Sequence, residues 1–185
     1  MHAQPSLPAT MRAVAITAPG GPEVLRVETV PLPELREGEV LIRVAAAGVN
    51  RHDTGQRSRG KAAPTARSQV PGLEIVGEVV ASRSGKVRPG RRVAALVDGG
   101  GYADYCAAEA DLCLAVPDAL SDLEAASLPE ALFTSWFGLV ELGGLGTGGA
   151  VLIHGAAGGV GIAAVQVARL RGAVAVATAS RPEKL

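Results

Sequence analysis

The chain of 185 residues carries 18 basic and 18 acidic side chains, and this balance argues against a general attraction to nucleic acid or to an acidic membrane surface. Hydrophobic residues make up 48% of the chain, enough for a substantial core, whereas the 3% that is aromatic is too little for base-stacking platforms. Cys106 and Cys113 are too few for a disulfide framework or a four-cysteine zinc cluster. We expect free thiols on neighbouring strands, and a cytoplasmic location.

Residues 1–10 are predicted to form a loose tail, and they have neither the basic start nor the apolar core of a secretory signal. Residues 143–168 carry no charge, which by length alone suggests a membrane span. Frequent glycines divide that stretch into shorter elements, so we expect no membrane segment.

Short apolar segments alternate with Gly/Pro turns from residue 11 to about residue 120. This spacing is typical of a β-barrel or a β-sandwich. The predicted strands are Met11–Thr17, Leu25–Val30, Glu39–Ala46, Gly77–Ser82, Arg92–Val97, Tyr102–Ala107 and Leu112–Val116.

Residues 51–70 interrupt the strands with a polar segment that holds Arg51, Arg57, Arg59, Lys61 and Arg67. Since the overall charge is balanced, we favour a solvated loop. The alternative is a positively charged rim beside an anionic cofactor.

The pattern changes to helix near residue 121. Ser121 and Glu124 have the spacing of a capping box, and Pro129 suits the first turn of a second helical segment that ends near Leu142. The sequence therefore predicts a barrel domain over residues 11–120 and a second domain over residues 121–185.

The second domain is organised around a glycine-rich turn. A strand over Ala150–Ile153 leads into it, a helix from about Gly159 to Arg171 follows, and a second strand covers Ala173–Thr178. Strand, glycine-rich turn, helix and strand are the context of a dinucleotide-binding fingerprint, here with alanine in its first place.

Backbone N–H groups at a helix N-terminus attract a pyrophosphate, and side chains in the turn would obstruct it. The alternative is that these glycines serve tight packing only. The predicted pyrophosphate contacts are Gly155, Ala156, Gly158, Gly159, Val160 and Gly161.

The charges after the second strand favour NADPH over NADH. NAD-preferring folds place a carboxylate about 20 residues beyond the glycines, and none occurs from Gly172 to Pro182. Ser180, Arg181 and Lys184 offer a hydroxyl and two cations, which suit a 2′-phosphate. Only the first strand, helix and second strand of such a fold are visible, so we expect the chain to be the front portion of a longer one.

The motifs, in their order, resemble the medium-chain dehydrogenase/reductase superfamily, and most closely its zinc-independent quinone oxidoreductases, the group that includes zeta-crystallin. The resemblance implies an α/β protein in which a GroES-like β-barrel precedes a Rossmann nucleotide-binding domain. The segments that carry it are Met11–Val14, Pro19–Pro22, Gly48–Asp53, Pro71–Glu74, Gly99–Tyr105, Leu128–Glu130 and Val151–Gly161.

The resemblance also implies that no catalytic zinc is bound. Zinc-dependent relatives have a cysteine near position 50 and a Gly-His-Glu where this chain has Gly72-Leu73-Glu74. No cysteine lies between Pro129 and Trp136, where a third ligand would be sought. Glu74 and His52 alone cannot make a tight site.

By resemblance, the reaction is hydride transfer from NADPH to a small quinone or another conjugated carbonyl, and the cofactor supplies the chemistry. Asn50 and Thr134 match residues near the nicotinamide, and Lys184 matches the lysine that contacts the 2′-phosphate. Asn50 could instead stabilise a turn, Thr134 could bond its own helix backbone, and Lys184 could be a surface lysine.

Asn50 and Asp53 are the catalytic candidates, although Asp53 could be structural and pair with Arg51 or Arg57. His52 is expected in a loop, and His154 at a strand end where its ring orients the turn. Relatives place tyrosines just after this motif, whereas here that stretch has none, which leaves the substrate pocket open to question.

Two other functions stay open. One is an enoyl or alkenal reductase of the same superfamily, and the other is a non-catalytic nucleotide- or RNA-binding protein, which the balanced charge disfavours. We expect a homodimer if a full-length chain exists, and no membrane partner.

Overall fold

The structure, a computed structural model, describes residues 7–62 and 66–184. Its internal contacts divide the chain into two compact units, Met1–Ser127 and Leu128–Leu185. Of the predicted tail over residues 1–10, residues 1–6 lie outside the described residues, and Thr10 already belongs to the first strand.

The first unit is built from strands, as the alternating pattern predicted, and they pair in antiparallel fashion. They are β1 (Thr10–Ile16), β2 (Leu25–Pro31), β3 (Glu39–Ala47), β4 (Glu74–Ser82), β5 (Arg92–Leu96), β6 (Tyr105–Glu109) and β7 (Cys113–Ala115). β1 pairs with β2, and the other strands form a five-stranded sheet in the order β6-β3-β4-β5-β7. A bridge between Ala13 and Ala103 links β1 to the segment before β6.

The core of this unit lies along β3 and β4, whose inward side chains include Val40, Ile42, Ile75 and Val79. These β-branched residues are fully buried, and each such burial stabilises the fold by about 1.5–3 kcal/mol. The register of the β3–β4 pair shifts between Leu41 and Ile42, where β4 has an extra residue, and again after Val44, where β3 has one; β-bulges of this kind bend the strands.

The two cysteines are free, and both pack on this core. The expectation that they lie on neighbouring strands is wrong for the sheet: Cys106 lies on β6 and Cys113 begins β7, which follow each other along the chain but do not pair. β6 and β7 end the sheet order on opposite sides, because each pairs with a different central strand. Burial raises the pKa of Cys106 to about 12 and that of Cys113 to about 11.

The prediction of a loop over residues 51–70 is wrong in its first half, because α1 occupies Arg51–Arg59. The helix is stabilised at its two ends and not by an apolar face. At the start, Asp53 accepts a hydrogen bond from the backbone of Asn50, and at the end Gly60 adopts a left-handed conformation with φ of 79°. Arg57 and Arg59 lie in the last turn, where cations favour a helix. The pattern contains no apolar periodicity, so the helix was missed.

A short helix, α2 (Asp122–Ala126), closes the first unit. The predicted capping box is confirmed, since Ser121 N donates to Glu124 Oε2 at 2.9 Å and Glu124 N donates to Ser121 Oγ at 3.3 Å. Arg92 of β5 donates to Asp122 Oδ1 at 2.8 Å and holds the helix against the sheet. The sequence-based boundary near 120 falls before this helix, which packs on β3 and β4.

The second unit contains one β-α-β repeat. Its elements are α3 (Pro129–Trp136), which continues as a π-helix over Phe137–Leu142, β8 (Ala150–Ile153), α4 (Gly159–Leu170) and β9 (Val174–Ala177). β8 and β9 are parallel, and α4 covers the face that carries Val151, Ile153 and Ala175. The predicted strand–turn–helix–strand order is confirmed, with bounds that differ by one residue at most.

The other face of β8 and β9 is apolar and exposed. Leu152, Val174 and Val176 are 56%, 61% and 53% exposed, although parallel strands usually have both faces covered. Among the residues that the structure describes, no helix combines the length and apolar character needed to cross a membrane.

Candidate functional site

The glycine-rich turn of the second unit lies between the end of β8 and the start of α4. Gly155 has a φ of 65°, a left-handed conformation that glycine adopts without strain. Gly158 N donates to Gly155 O at 2.9 Å, and Ala156 N donates to Thr178 O at 2.9 Å, just beyond β9. The turn is therefore tied to both strands through its backbone.

Several amides of this turn remain without an acceptor in the described part of the chain. The first bond inside α4 runs from Ile162 N to Gly158 O at 2.8 Å. The N–H groups of Gly159, Val160 and Gly161 precede it, so the helix itself has no acceptor for them. Such a helix N-terminus favours an anion.

Gly158 and Gly161 are glycines for different physical reasons. A Cβ on Gly161 would lie 2.6 Å from Ala156 Cα and 2.6 Å from Gly155 O, so α4 could not approach the turn. A Cβ on Gly158 would meet only Gly155 O, at 3.4 Å, and one on Gly159 would meet nothing within 4 Å. Gly161 thus serves packing, whereas Gly158 and Gly159 border open space.

Two polar contacts hold the surroundings of the turn. Ser135 of α3 is buried and donates to Val160 O at 3.0 Å, which fixes the first turn of α4. His154 Nδ1 lies 2.9 Å from Thr178 Oγ1, so its ring links the ends of the two strands, as expected for a histidine that orients the turn.

The predicted 2′-phosphate contacts follow β9 and are exposed. Lys184 ends a short 3₁₀ helix over Pro182–Lys184, and its backbone N donates to Arg181 O at 3.1 Å. Lys184 also lines a cleft of about 590 Å³ together with Arg169 of α4 and alanines of β9. Ser180 and Arg181 do not line that cleft.

In the first unit, the catalytic candidates Asn50 and Asp53 belong to one hydrogen-bond network at the end of β3. Asn50 Nδ2 donates to Glu74 Oε1 at 2.8 Å, and Asn50 N donates to Asp53 Oδ2 at 2.8 Å. Tyr102 donates its hydroxyl to the same Asp53 oxygen at 2.7 Å and lies 3.1 Å from Gly48 O. Asp53 and Glu74 are 6% and 3% exposed.

The pairing of Asp53 with Arg51 or Arg57 that we considered does not occur. Arg57 donates instead to Gly20 O at 3.1 Å, because α1 directs it away from the buried carboxylate. Asp53 Oδ1 is buried and has no hydrogen-bond partner among the described residues.

Tyr102 was missed as a site residue, although its Gly-Gly-Tyr segment was one of the recognisable motifs. It reaches Asp53 from 49 positions away, which no local pattern reveals. Burial, and then the hydrogen bond to Asp53, raise the pKa of Tyr102 well above its ordinary value, so the phenol keeps its proton.

The remaining candidates are less enclosed. Thr134 is exposed, and its hydroxyl donates to Glu130 Oε1 at 3.5 Å rather than to a backbone carbonyl. His52 is exposed on α1, not in a loop. Within residues 7–62 and 66–184, no three His, Cys, Asp or Glu side chains form a cluster that could hold a metal.

Comparison with known proteins places these features in a family. The family model of the alcohol dehydrogenase GroES-like domain matches residues 36–118, which include α1 and β3 to β7. The quinone oxidoreductase of Sus scrofa is 36% identical over 177 residues, covering 94% of this chain and 54% of the relative. The 2-methylene-furan-3-one reductase of Solanum lycopersicum is 36% identical over 194 residues, covering 97% and 50%.

A solved structure agrees in both units. The quinone oxidoreductase of Thermus thermophilus, determined also in complex with NADPH, is 40% identical with a TM-score of 0.72, covering 95% of this chain and 55% of that one. The chain spans about half the length of the curated relatives it matches. The predicted GroES-like barrel and the start of a Rossmann fold are confirmed, and the chain belongs to the medium-chain dehydrogenase/reductase superfamily, where it resembles the quinone oxidoreductases.

Proposed function

We propose that the protein is an NADPH-dependent oxidoreductase that transfers hydride to a quinone or another conjugated carbonyl. The observation that carries this proposal is the turn before α4, where amides lack acceptors among the described residues and Gly158 and Gly159 border open space. The bound nicotinamide would supply the hydride, and the protein would supply binding and orientation. Relatives named quinone oxidoreductase and 2-methylene-furan-3-one reductase support the two substrate classes.

The pyrophosphate is the ligand group that this turn suits. Amides of Gly159, Val160 and Gly161 point out of the helix N-terminus, where the dipole adds to their attraction for an anion. Gly155 and Ala156 shape the turn, and Gly158 leaves the approach open. The residues present therefore fit a dinucleotide.

Preference for NADPH is assigned to the cations after β9. Lys184 is the proposed contact for the 2′-phosphate, with Arg181 and Ser180 close along the chain. Arg169 of α4 lines the same cleft as Lys184 but is not among the proposed 2′-phosphate contacts. Asn50 of the first unit and Thr134 of the second unit are each proposed to contact the nicotinamide through their polar side chains.

We also propose that catalysis uses no zinc. Leu73 offers no ligand atom where zinc-dependent relatives have histidine, and the stretch Val49–Arg51 has no cysteine where they have one. Asn50 Nδ2 donates to Glu74 Oε1, so these two groups bind each other. The donor set therefore does not fit a catalytic zinc ion.

Gly158→Ala tests the binding role of the turn. The new methyl group meets only Gly155 O, so the free energy of unfolding should stay within about 0.5 kcal/mol of the parent value. NADPH affinity, followed by nicotinamide fluorescence, should fall about tenfold, equivalent to about 1.4 kcal/mol. Gly138→Ala is the matched control, since a Cβ there meets nothing. Unchanged NADPH affinity in Gly158→Ala would show that the glycines serve packing alone.

Lys184→Glu tests the cofactor preference. Reversing this charge should raise the Kd for NADPH more than the Kd for NADH, because only NADPH carries the 2′-phosphate. Arg169→Glu, which makes the same charge change on the same cleft, is the control, and its effects on the Kd for NADPH and on the Kd for NADH should differ less. Equal weakening of both cofactors by Lys184→Glu would remove the assignment.

A further inference from the structure

The side chain of Asn50 is held in one orientation by residues that are distant in sequence. Its amide nitrogen donates to Glu74 Oε1 at 2.8 Å, and Glu74 starts β4, 24 positions away. In this bond the Glu74 oxygen is the acceptor, whereas the Asn50 amide has a donor end and an acceptor end. The nitrogen end of Asn50 must therefore face Glu74, and the amide cannot rotate by 180° without placing oxygen against oxygen.

The carboxylate of Glu74 is itself confined. It is 3% exposed, and a Cβ on Gly48 would collide with its Oε1, so the carboxylate packs directly on the backbone of Gly48. Gly48 N in turn donates to Glu74 O at 3.2 Å. The acceptor that orients Asn50 is therefore fixed by the close approach of β3 and β4.

The backbone of Asn50 is fixed through a second route. Asp53 Oδ2 accepts from Asn50 N at 2.8 Å and from the Tyr102 hydroxyl at 2.7 Å. The Tyr102 hydroxyl also lies 3.1 Å from Gly48 O, which precedes Asn50 by two residues. Tyr102 thus ties the turn before α1 to the segment before β6.

We propose that Glu74 and Tyr102 are positioning residues for Asn50, and that Glu74 sets which end of the Asn50 amide a bound nicotinamide cofactor meets. This inference rests on the proposed function, in which Asn50 contacts the cofactor. Preorganisation of this kind raises affinity because the side chain loses little rotational freedom on binding. Neither residue touches the cofactor in this role, and each acts through Asn50.

The first measurement needs no cofactor. The side-chain NH₂ resonances of Asn50, assigned by their loss in Asn50→Ala, should exchange slowly with water because Glu74 holds one of the protons. Glu74→Met, which removes the acceptor but keeps the volume, should make them exchange rapidly, and Glu74→Gln should restore part of the protection. Glu78→Met, on the same strand but exposed and paired with Arg43, is the control and should leave them unchanged. If Glu74→Met leaves the exchange rate of the Asn50 side-chain protons unchanged, the proposal is overturned.

The second measurement is a double-mutant cycle on NADPH affinity. Glu74→Met should raise the Kd about tenfold and Tyr102→Phe about threefold, in keeping with the loss of one charged and one neutral orienting hydrogen bond. In the Asn50→Ala background, both effects should shrink to less than about twofold, since the residue through which they act is gone. Tyr105→Phe is the control for the tyrosine and should change neither background.

The outcomes separate the two proposals. Effects that add in the Asn50→Ala background would show that Glu74 and Tyr102 act on the fold in general, and would overturn the positioning role. A parent protein that binds no NADPH would overturn the proposed function, while the exchange of the Asn50 amide would still decide whether Glu74 orients it.

Discussion

The two turns that carry the candidate residues are built in opposite ways. The turn at Gly155–Gly161 is held mainly by bonds between main-chain atoms, and Gly158 and Gly159 border open space. The turn at Gly48–Asp53 is held mainly by side chains. Those of Asn50, Asp53, Glu74 and Tyr102 form a hydrogen-bond network in a largely buried cluster.

The difference follows from what each turn must do. A backbone turn leaves N–H groups free for a ligand whose charge is spread over phosphate oxygens. A side-chain turn can orient a single amide, but each buried polar atom that finds no partner costs about 1–3 kcal/mol. Asp53 Oδ1, which lacks a partner among the described residues, shows that the second turn meets this requirement incompletely.

The backbone turn should be the more sensitive to a single methyl group. Gly161→Ala places a Cβ 2.6 Å from two backbone atoms, Ala156 Cα and Gly155 O, and neither can move without shifting α4. We expect a loss of about 3 kcal/mol in the free energy of unfolding, measured by urea denaturation, together with loss of NADPH binding. Gly138→Ala in the same unit should show neither change. A Gly161→Ala variant with the parent's stability would mean that α4 does not pack on the turn as described.

The side-chain turn should respond less to the same change. In Gly48→Ala the new methyl group meets one backbone atom, Ala126 O at 2.7 Å, and the end of the Glu74 side chain, which can withdraw only by giving up its hydrogen bond to Asn50. We expect a loss of about 2 kcal/mol in the free energy of unfolding. Gly85→Ala, where a Cβ meets nothing within 4 Å, is the control. A larger loss in Gly48→Ala than in Gly161→Ala would reverse the comparison.

The two turns also differ in how far the sequence reveals them. The glycine spacing and the flanking apolar strands are local patterns, so the bounds of β8 and the start of α4 could be predicted to the residue. The side-chain turn depends on partners 24 and 49 positions away, so Glu74 was considered only as a possible metal ligand and Tyr102 not at all. The strands of the first unit were predictable because apolar residues alternate along them, whereas their GroES-like arrangement was implied by the family resemblance.

Helix α1 was not predictable by the same means. It buries Asp53 and Gln56 rather than an apolar stripe, and its stability comes from an N-terminal carboxylate, C-terminal arginines and Gly60. Hydrophobic periodicity, the usual signal for a helix, is absent there. The signal that could have found it was the Asn50–Asp53 spacing, which is that of a capping pair.

Removal of one hydroxyl should give the smallest effect and should carry a pH signature. Tyr102→Phe leaves the ring in place but takes one donor from Asp53, so we expect a loss of about 1 kcal/mol in the free energy of unfolding. The pKa of Tyr102 is raised in the folded state, so this contribution is complete below the unfolded-state value of 10.0 and is lost as the pH rises through the folded-state pKa. The stability difference between parent and variant should therefore be constant from about pH 7 to 9 and should shrink above about pH 10. Tyr105→Phe controls for the loss of a phenol. A difference that changes already below pH 9 would show that the Tyr102 hydroxyl does not donate to Asp53, and the two turns would then differ less than the structure indicates.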